Sequence, residues 1–234
     1  MMIKRVVQLF FCLSPVLLFA QNPVNVIDGN GLKQGEWKKY NDDNELIYTG
    51  QFKDDIPFGT FTYFYQDGKK KAELTYSATQ IGEATVINYH ENGKIMATGM
   101  YLNKLRHGAW VFFDETENRI CEEQYDEGKK TGIWKTYYFD GELNEEVTYA
   151  EDEKNGPWIQ YFTDGAVKVQ GLYINGLLEG ETRFYQPDGE VMVIGSYIHN
   201  LKEGIWKFFD EKGNLVKEQE YDKGKLLTDP TENE

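Results

Sequence analysis

Cysteine is nearly absent from this sequence, which removes one common way of holding a small domain together. Of the 234 residues only Cys12 and Cys121 are cysteines, and Cys12 lies in an apolar N-terminal stretch with the features of a leader. Without that stretch the chain retains Cys121 alone, so it can form no internal disulfide bond. We expect Cys121 to be a small, half-buried strand residue rather than a reactive thiol.

Serine and histidine are also scarce, and their placement gives no catalytic or metal-binding pattern. Beyond the first 20 residues the serines are Ser77 and Ser196, and neither lies in a Gly-x-Ser-x-Gly motif. The histidines His90, His107 and His199 are far apart, whereas a zinc site needs closely spaced ligands. We therefore predict no enzyme activity, no bound metal and no cofactor. A hydrolase that uses two facing carboxylates is the alternative.

Basic residues are few relative to acidic ones, which limits the classes of partner. The chain has 25 Lys and Arg against 39 Asp and Glu. The first 20 residues contribute Lys4 and Arg5 and no acid, so the remainder has a formal charge of −16. Such a surface repels phosphate backbones and acidic lipids. We expect another protein as partner, or a glycan or cell wall, and neither nucleic acid nor an anionic membrane surface.

The sequence has one long apolar run, and it lies at the N-terminus. Lys4 and Arg5 precede an apolar stretch that extends from Val6 to Ala20. This order is typical of a secretory signal peptide, and the run is shorter than the roughly 20 apolar residues of a membrane span. We predict a signal peptide over residues 1–20, cleavage near Ala20, and export to the periplasm, cell envelope or extracellular space. Retention as an N-terminal anchor is the alternative.

Aromatic residues, by contrast, make up 15% of the chain, and they recur with a period of 24 residues. Two columns of positions, twelve residues apart, are aromatic throughout. The first ring column consists of Tyr40, Phe64, Tyr89, Phe113, Tyr137, Tyr161, Tyr185 and Phe209. The second ring column consists of Phe52, Tyr76, Tyr101, Tyr125, Tyr149, Tyr173, Tyr197 and Tyr221. Because a fixed period of this length indicates a repeat architecture, we predict that both columns form the structural core.

All five tryptophans fall in a third column, three residues before the first ring column. This tryptophan column reads Trp37, Phe61, Val86, Trp110, Trp134, Trp158, Thr182 and Trp206. It is less complete than the two ring columns, so it is the column in which exposed rings for binding are expected first. The predicted binding residues are Trp110, Trp134, Trp158 and Trp206.

Each unit has the pattern of a β-hairpin. In the last one, residues 204–209 form an aromatic-rich segment, residues 210–214 a turn and residues 215–221 a second strand segment. Asp-Gly or Asn-Gly pairs, as at Asp140-Gly141, lie in the first turn of five units and supply the positive φ that tight hairpins need. Successive hairpins imply antiparallel pairing throughout.

These patterns predict an all-β fold, an elongated antiparallel single sheet of about eight stacked β-hairpin repeats of 24 residues. Residues 21–30 would be a lead-in, residues 31–226 one repeat domain, and residues 227–234 a disordered acidic tail. The three-residue offset between the tryptophan column and the first ring column places them on opposite faces if alternation is strict. A bulge beside a glycine would instead re-aim one column.

The repeat resembles a known family. The pattern Gly-x-Trp-x-x-[Tyr/Phe], with a later Asp-Gly and Tyr-x-x-Gly-Lys, is clearest at residues 132–137, 156–161 and 204–209. It resembles the MORN repeat and its bacterial variant, the type found in YwqK-like "antitoxin component" proteins, over about residues 31–226. The resemblance implies a curled, elongated sheet of hairpins that serves as a scaffold or interaction surface. The antitoxin label implies a protein partner.

We therefore interpret the sequence as an exported, non-catalytic repeat scaffold that mediates protein–protein interaction. One alternative is a carbohydrate- or cell-wall-binding module that uses rows of Trp and Tyr side chains. A second alternative is a toxin-neutralising partner protein of the antitoxin or immunity type.

Overall fold

The computed structural model describes residues 23–228, which form twenty β-strands. Within this range no helix is long and apolar enough to cross a membrane. The predicted signal peptide lies outside the described residues. The strands are β1 (Val26–Ile27), β2 (Lys33–Tyr40), β3 (Leu46–Lys53), β4 (Ile56–Phe64), β5 (Lys70–Tyr76), β6 (Glu83–Tyr89), β7 (Ile95–Leu102), β8 (Leu105–Phe113), β9 (Arg119–Asp126), β10 (Lys129–Lys130), β11 (Gly132–Tyr137), β12 (Leu143–Ala150), β13 (Glu153–Tyr161), β14 (Val167–Ile174), β15 (Leu177–Leu178), β16 (Gly180–Tyr185), β17 (Val191–Ile198), β18 (Leu201–Phe209), β19 (Leu215–Asp222) and β20 (Lys225–Thr228).

Each strand pairs antiparallel with its neighbours in the sequence, so the chain forms one open sheet. Two strands are each divided into two segments. β10 and β11 are the two segments of one strand, which pairs with β9, and β15 and β16 are the two segments of another, which pairs with β14. Counted in this way, eight hairpins follow one another from β2–β3 to β18–β19. The predicted all-β fold, a single antiparallel sheet of stacked hairpins, is confirmed.

Two-residue turns connect most consecutive hairpins along one edge of the sheet. In the turn between β17 and β18, His199 and Asn200 have φ of 51° and 67°. Two successive positive φ values are the requirement of a type I′ turn, which matches the twist of the flanking strands. Each turn also bonds back to the hairpin it closes: the backbone N–H of Asp152 donates to the carbonyl of Lys130 at 3.1 Å. The turns therefore form a continuous bonded edge.

Side-chain contacts settle which face of the sheet each aromatic column occupies. Rings of the tryptophan column and of the second ring column interleave on one face, called here the inner face. The ring centroids of Trp110 and Tyr101 are 5.1 Å apart, and those of Trp134 and Tyr149 are 4.9 Å apart. Edge-to-face and tilted contacts at this range stabilise aromatic pairs beyond the area they bury. The core of the sheet is therefore built from these two columns.

The first ring column lies on the opposite, outer face, although a register shift precedes it in every hairpin, as between Gln160 and Tyr161. The Tyr161 hydroxyl donates to Glu146 at 3.0 Å, and Glu146 also pairs with Lys135 at 3.1 Å. Tyr40 in this column is 46% exposed, and the others are half-buried. The expectation that this column is buried core is corrected, because nothing in the described chain packs over the outer face of a single-layer sheet.

The ends of the sheet are more ordered than the sequence indicates. At the first edge, Asn25 bonds to β2 with its side-chain amide: its Oδ1 accepts from the Lys38 N–H at 2.7 Å and its Nδ2 donates to the Lys38 carbonyl at 3.0 Å. At the last edge, β20 pairs with β19. The predicted disordered tail is therefore wrong at Leu227 and Thr228, because β19 offers them an unpaired edge. Residues 229–234 lie outside the described part.

Candidate functional site

Glycines decide how deeply the rings of the inner face are buried. A Cβ at Gly99 would lie 2.3 Å from the indole of Trp110, and a Cβ at Gly195 would lie 2.2 Å from the indole of Trp206. In both cases the ring lies flat on the neighbouring strand at a place with no side chain. Both indoles are consequently 1% exposed. The exposure expected of Trp110 and Trp206 as binding residues is therefore wrong.

Trp134 and Trp158 lack the glycine on the preceding strand that lies under the buried rings, and they are only half-buried. Trp158 does pair with Gly171 of the following strand, where a Cβ would lie 3.1 Å from its ring. Under Trp110 and Trp206 the glycine lies eleven residues earlier in the sequence. The residue at the same distance before Trp134 is Glu123, and before Trp158 it is Val147. A side chain there keeps the indole from lying on the backbone. These two rings stay accessible to solvent, and their contact with a ligand stays a prediction.

A column of cations lies over the rings of the inner face, and it was not identified from the sequence. The Lys202 Nζ lies 4.3 Å from the ring centroid of Trp206, and the Lys130 Nζ lies 4.4 Å from that of Trp134. A cation over an aromatic face is attracted by the ring quadrupole. The signal in the sequence is a Lys or Arg four residues before the ring, at Lys33, Arg106, Lys130, Lys154 and Lys202.

The second, third and seventh hairpins depart from this arrangement. In the second and third, the cation position is occupied by Pro57 and Gly82, and Val86 replaces the tryptophan of the third hairpin. In the seventh, Leu178 and Thr182 take the places of the cation and the tryptophan. In the second and third hairpins the inner face also has small side chains at Ala72 and Val86, which are 8% and 2% exposed. A hollow of about 1210 Å³ opens at this place, lined by these residues together with Leu74, Tyr76 and other side chains of β4–β7.

A longer connection borders the hollow, between β5 and β6. One step of the first ring column, from Phe64 to Tyr89, is 25 residues instead of 24, and the sequence places the extra residue in the polar stretch 77–80 of this connection. The loop is closed by a bond from the Ser77 N–H to the Glu83 carbonyl at 2.9 Å and held to the next turn by the Asn103 N–H, which donates to the Gly82 carbonyl at 2.7 Å. At its tip Ile81 is 81% exposed. An anchored loop therefore presents an apolar side chain to solvent beside the hollow.

Phenolic side chains are among the polar groups of the hollow, together with amide and charged side chains such as Asn88, Asn103 and Lys104. Tyr63 and Tyr76 line it, and Tyr48 packs on Tyr63 with ring centroids 5.5 Å apart. Burial raises the pKa of Tyr63 and of Tyr76, and the neighbouring phenols raise it further. Both hydroxyls therefore stay protonated across the physiological range. The hollow combines aliphatic walls with hydroxyl donors, which suits an apolar group that carries a hydrogen-bond acceptor.

The sequence pattern of a family described as MORN repeat variant matches seven segments of the chain, residues 33–54, 59–78, 83–103, 130–151, 154–175, 178–199 and 202–223. The chain belongs to the MORN repeat variant family. Each matched MORN segment spans most of one hairpin. The structure has an eighth hairpin, β8–β9, between the third and fourth matches.

No curated protein matches this MORN-variant chain. Among solved structures, the crystal structure of TarM is 16% identical with a TM-score of 0.27, over 51% of this chain and 19% of that chain. A mutant TarM of S. aureus, in complex with Fondaparinux, alpha-GlcNAc-glycerol and UDP, is 13% identical with a TM-score of 0.25, over 52% and 19%. The structure of TcdB2-TccC3 is 10% identical with a TM-score of 0.21, over 86% of this chain and 13% of that chain.

The titratable residues of the MORN-variant sheet are dispersed. Within residues 23–228 no group of three His, Cys, Asp or Glu side chains is arranged to hold a metal ion. Each histidine has its own neighbour: the His90 Nε2 lies 3.0 Å from the Phe113 carbonyl, and the His107 Nδ1 lies 3.2 Å from an Asp126 oxygen. These are contacts between neighbouring strands and turns rather than a converging site.

Cys121 is expected to react slowly with alkylating reagents. Burial on the inner face raises the pKa of its thiol from 9.0 to about 11, and the charge of Glu123 adds to the effect. Because the thiolate is the reactive form, a rise of two pKa units lowers its amount about 100-fold near neutral pH. Alkylation by iodoacetamide at pH 8, followed by mass spectrometry, should be about 100-fold slower for the folded protein than for the same protein in urea. Equal rates would contradict the buried position.

Proposed function

We propose that the protein is an exported, non-catalytic repeat scaffold that binds a partner protein over the hollow of the second and third hairpins. The observation that supports this proposal is the coincidence of three departures from the repeat at one place. The tryptophan and the cation are replaced by smaller residues, the connecting loop is longer, and an apolar hollow opens on the inner face.

The rim of the hollow is suited to a protein surface. Among the residues that line it, Ile56, Phe58 and Ile81 are 48%, 42% and 81% exposed. Exposed apolar side chains grouped in this way are typical of an interaction site. A large side chain of the partner that fills the hollow would be surrounded by this rim, which is the arrangement of an energetically dominant contact.

The other parts of the proposal come from the sequence. Export follows from the leader at residues 1–20, and the lack of a catalytic role follows from the scarcity of nucleophiles and of clustered ligands. A toxin-neutralising role of the antitoxin or immunity type would be one form of the same partner binding. It would use the same hollow, with the toxin as the partner.

Replacement of Ile81 with serine is expected to weaken partner binding about tenfold or more, because it removes the most exposed apolar side chain of the rim. The protein would be used as bait on the envelope and secreted fractions of its source organism. The wild-type protein should retain a specific partner, and the affinity of that partner would then be measured by titration calorimetry.

Phe139 provides the matched control. It is 82% exposed, almost as much as Ile81, but it lies in the turn between β11 and β12 and does not line the hollow. Phe139→Ser should therefore leave the affinity unchanged. The proposal would be wrong if both variants bound like the wild type, or if no protein were retained from any fraction.

A further inference from the structure

One row of residues on the inner face changes from apolar to polar in the middle of the sheet. Cys121, Thr136, Glu145 and Gln160 face one another across four neighbouring strands in the pairings of β9, β11, β12 and β13. The row continues as Phe112 on one side and as Val169 on the other. The four residues, named here the polar window, are all half-buried, so solvent reaches them.

Glu145 is the organising group of the polar window. Its Oε1 accepts a bond from the indole N–H of Trp158 at 2.7 Å and one from the side-chain amide of Gln160 at 3.0 Å. Both bonds go to the same oxygen, so in the described residues Oε2 has no donor. The amide oxygen of Gln160 likewise has none. Neither oxygen is among the fully buried polar atoms without a partner, so both acceptors are open to solvent.

The half-buried rings lie directly beside these acceptors. Trp134 and Trp158 are the partners of Val147 in the adjacent row, two residues from Thr136 and Gln160 along their strands. Trp158 is tied to Glu145 through its indole N–H, so the ring and the carboxylate form one rigid unit. Trp134 is held by its own N–H, which donates to the Gln124 carbonyl at 3.1 Å.

We propose that the polar window, together with Trp134 and Trp158, is a binding site for a neutral oligosaccharide. A sugar ring has an apolar face of C–H groups, which stacks on an indole, and a rim of hydroxyls, which donate to a carboxylate or an amide oxygen. Oε2 of Glu145 and the Gln160 amide oxygen accept such hydroxyls, and the Thr136 hydroxyl bonds a further one. Both requirements of a sugar ring are met at one place.

The Glu145 carboxylate at the centre of the site favours a neutral sugar over an anionic ligand, while Lys130 lies over the Trp134 ring farther along the inner face. A phosphate or an acidic sugar would approach the Glu145 carboxylate on a chain of net charge −14, and the like charges would repel. A purely apolar ligand would leave the acceptors of Glu145 and Gln160 without their water, which costs free energy. The site lies in the fourth to sixth hairpins and is independent of the hollow in the second and third.

Adjacent residues on opposite faces allow a sharp test. Glu145→Ala removes the acceptor beside the rings, whereas Glu146→Ala removes a carboxylate of the outer face that pairs with Lys135. The probes are cellohexaose, xylohexaose and chitohexaose, and binding is followed by titration calorimetry and by tryptophan fluorescence. Circular dichroism verifies that both variants fold as the wild type does.

The wild-type protein should bind at least one of the three probes saturably, with a change in tryptophan fluorescence. Glu145→Ala should bind about tenfold more weakly, as expected for the loss of a bond to a charged group, and Glu146→Ala should bind like the wild type. The bound sugar should also slow the alkylation of Cys121 at pH 10 in the wild type. The proposal is overturned if none of the probes binds, or if both variants bind equally well. Ile81→Ser should not affect sugar binding, so this site and the partner site can fail separately.

Discussion

Replacement of Trp110 with alanine is expected to lower the free energy of unfolding by about 4 kcal/mol, the cost typical of a deleted buried aromatic side chain. The ring is 1% exposed. It contacts Tyr101 and Phe112, with ring centroids 5.1 Å and 6.0 Å apart, and Arg106 covers it at 4.6 Å. All of these contacts are lost together, and the cavity that remains lies in the middle of the array. Urea unfolding followed by circular dichroism measures the effect.

The matched variant for this prediction is Tyr40→Ala. Tyr40 is also an aromatic residue of a repeated column, but it lies on the outer face and is 46% exposed. Its loss should cost less than about 1 kcal/mol, because partly exposed surface positions contribute little. Similar losses for Trp110→Ala and Tyr40→Ala would show that the two faces contribute equally, and the assignment of the core to the inner face would then be wrong.

Replacement of Gly99 with alanine is expected to lower the free energy of unfolding by about 3 kcal/mol, the upper part of the usual range for overpacking. The added methyl group would lie 2.3 Å from the indole of Trp110. The ring is enclosed by its neighbours and cannot move away without losing the contacts with Tyr101 and Arg106. The thermal midpoint and the urea midpoint should both fall.

Gly29→Ala is the control for this second prediction. A Cβ at Gly29 would meet no atom within 4 Å, and its backbone conformation is open to any residue. The substitution should therefore leave stability unchanged or raise it slightly, because alanine restricts the unfolded chain. If Gly99→Ala were as stable as Gly29→Ala, the rings of the tryptophan column would not depend on the glycines beneath them.

The period of the rings was sufficient to predict the fold, since sixteen aromatic positions and the Asp-Gly turns leave few arrangements other than stacked hairpins. The same period could not show which column is buried. The rings differ in the residue that faces each of them from the preceding strand, and that residue is identified only when the register of the strands is known. Once it is known, a glycine eleven residues before the ring separates Trp110 and Trp206 from Trp134 and Trp158.

The candidate site was visible in the sequence only as a set of irregularities. Val86, Gly82 and the extra residue of the connecting loop each break the repeat, but no pattern states that they surround one space. A cavity is formed by what neighbouring side chains leave unfilled, and this depends on packing in three dimensions. The cations of the inner face were overlooked for a related reason, because a lysine near a turn is typical of any exposed surface.

The amide of Asn25 has a consequence for self-association. An open sheet that ends in a bare strand is a template on which a second molecule can add its own strand, and repeated addition produces fibres. Here Asn25 satisfies both the N–H and the carbonyl of Lys38, and β1 pairs with Gln34 and Lys33. Addition of further molecules to this edge of the sheet is therefore blocked. A head-to-tail fibre needs both edge strands of each molecule to be unpaired.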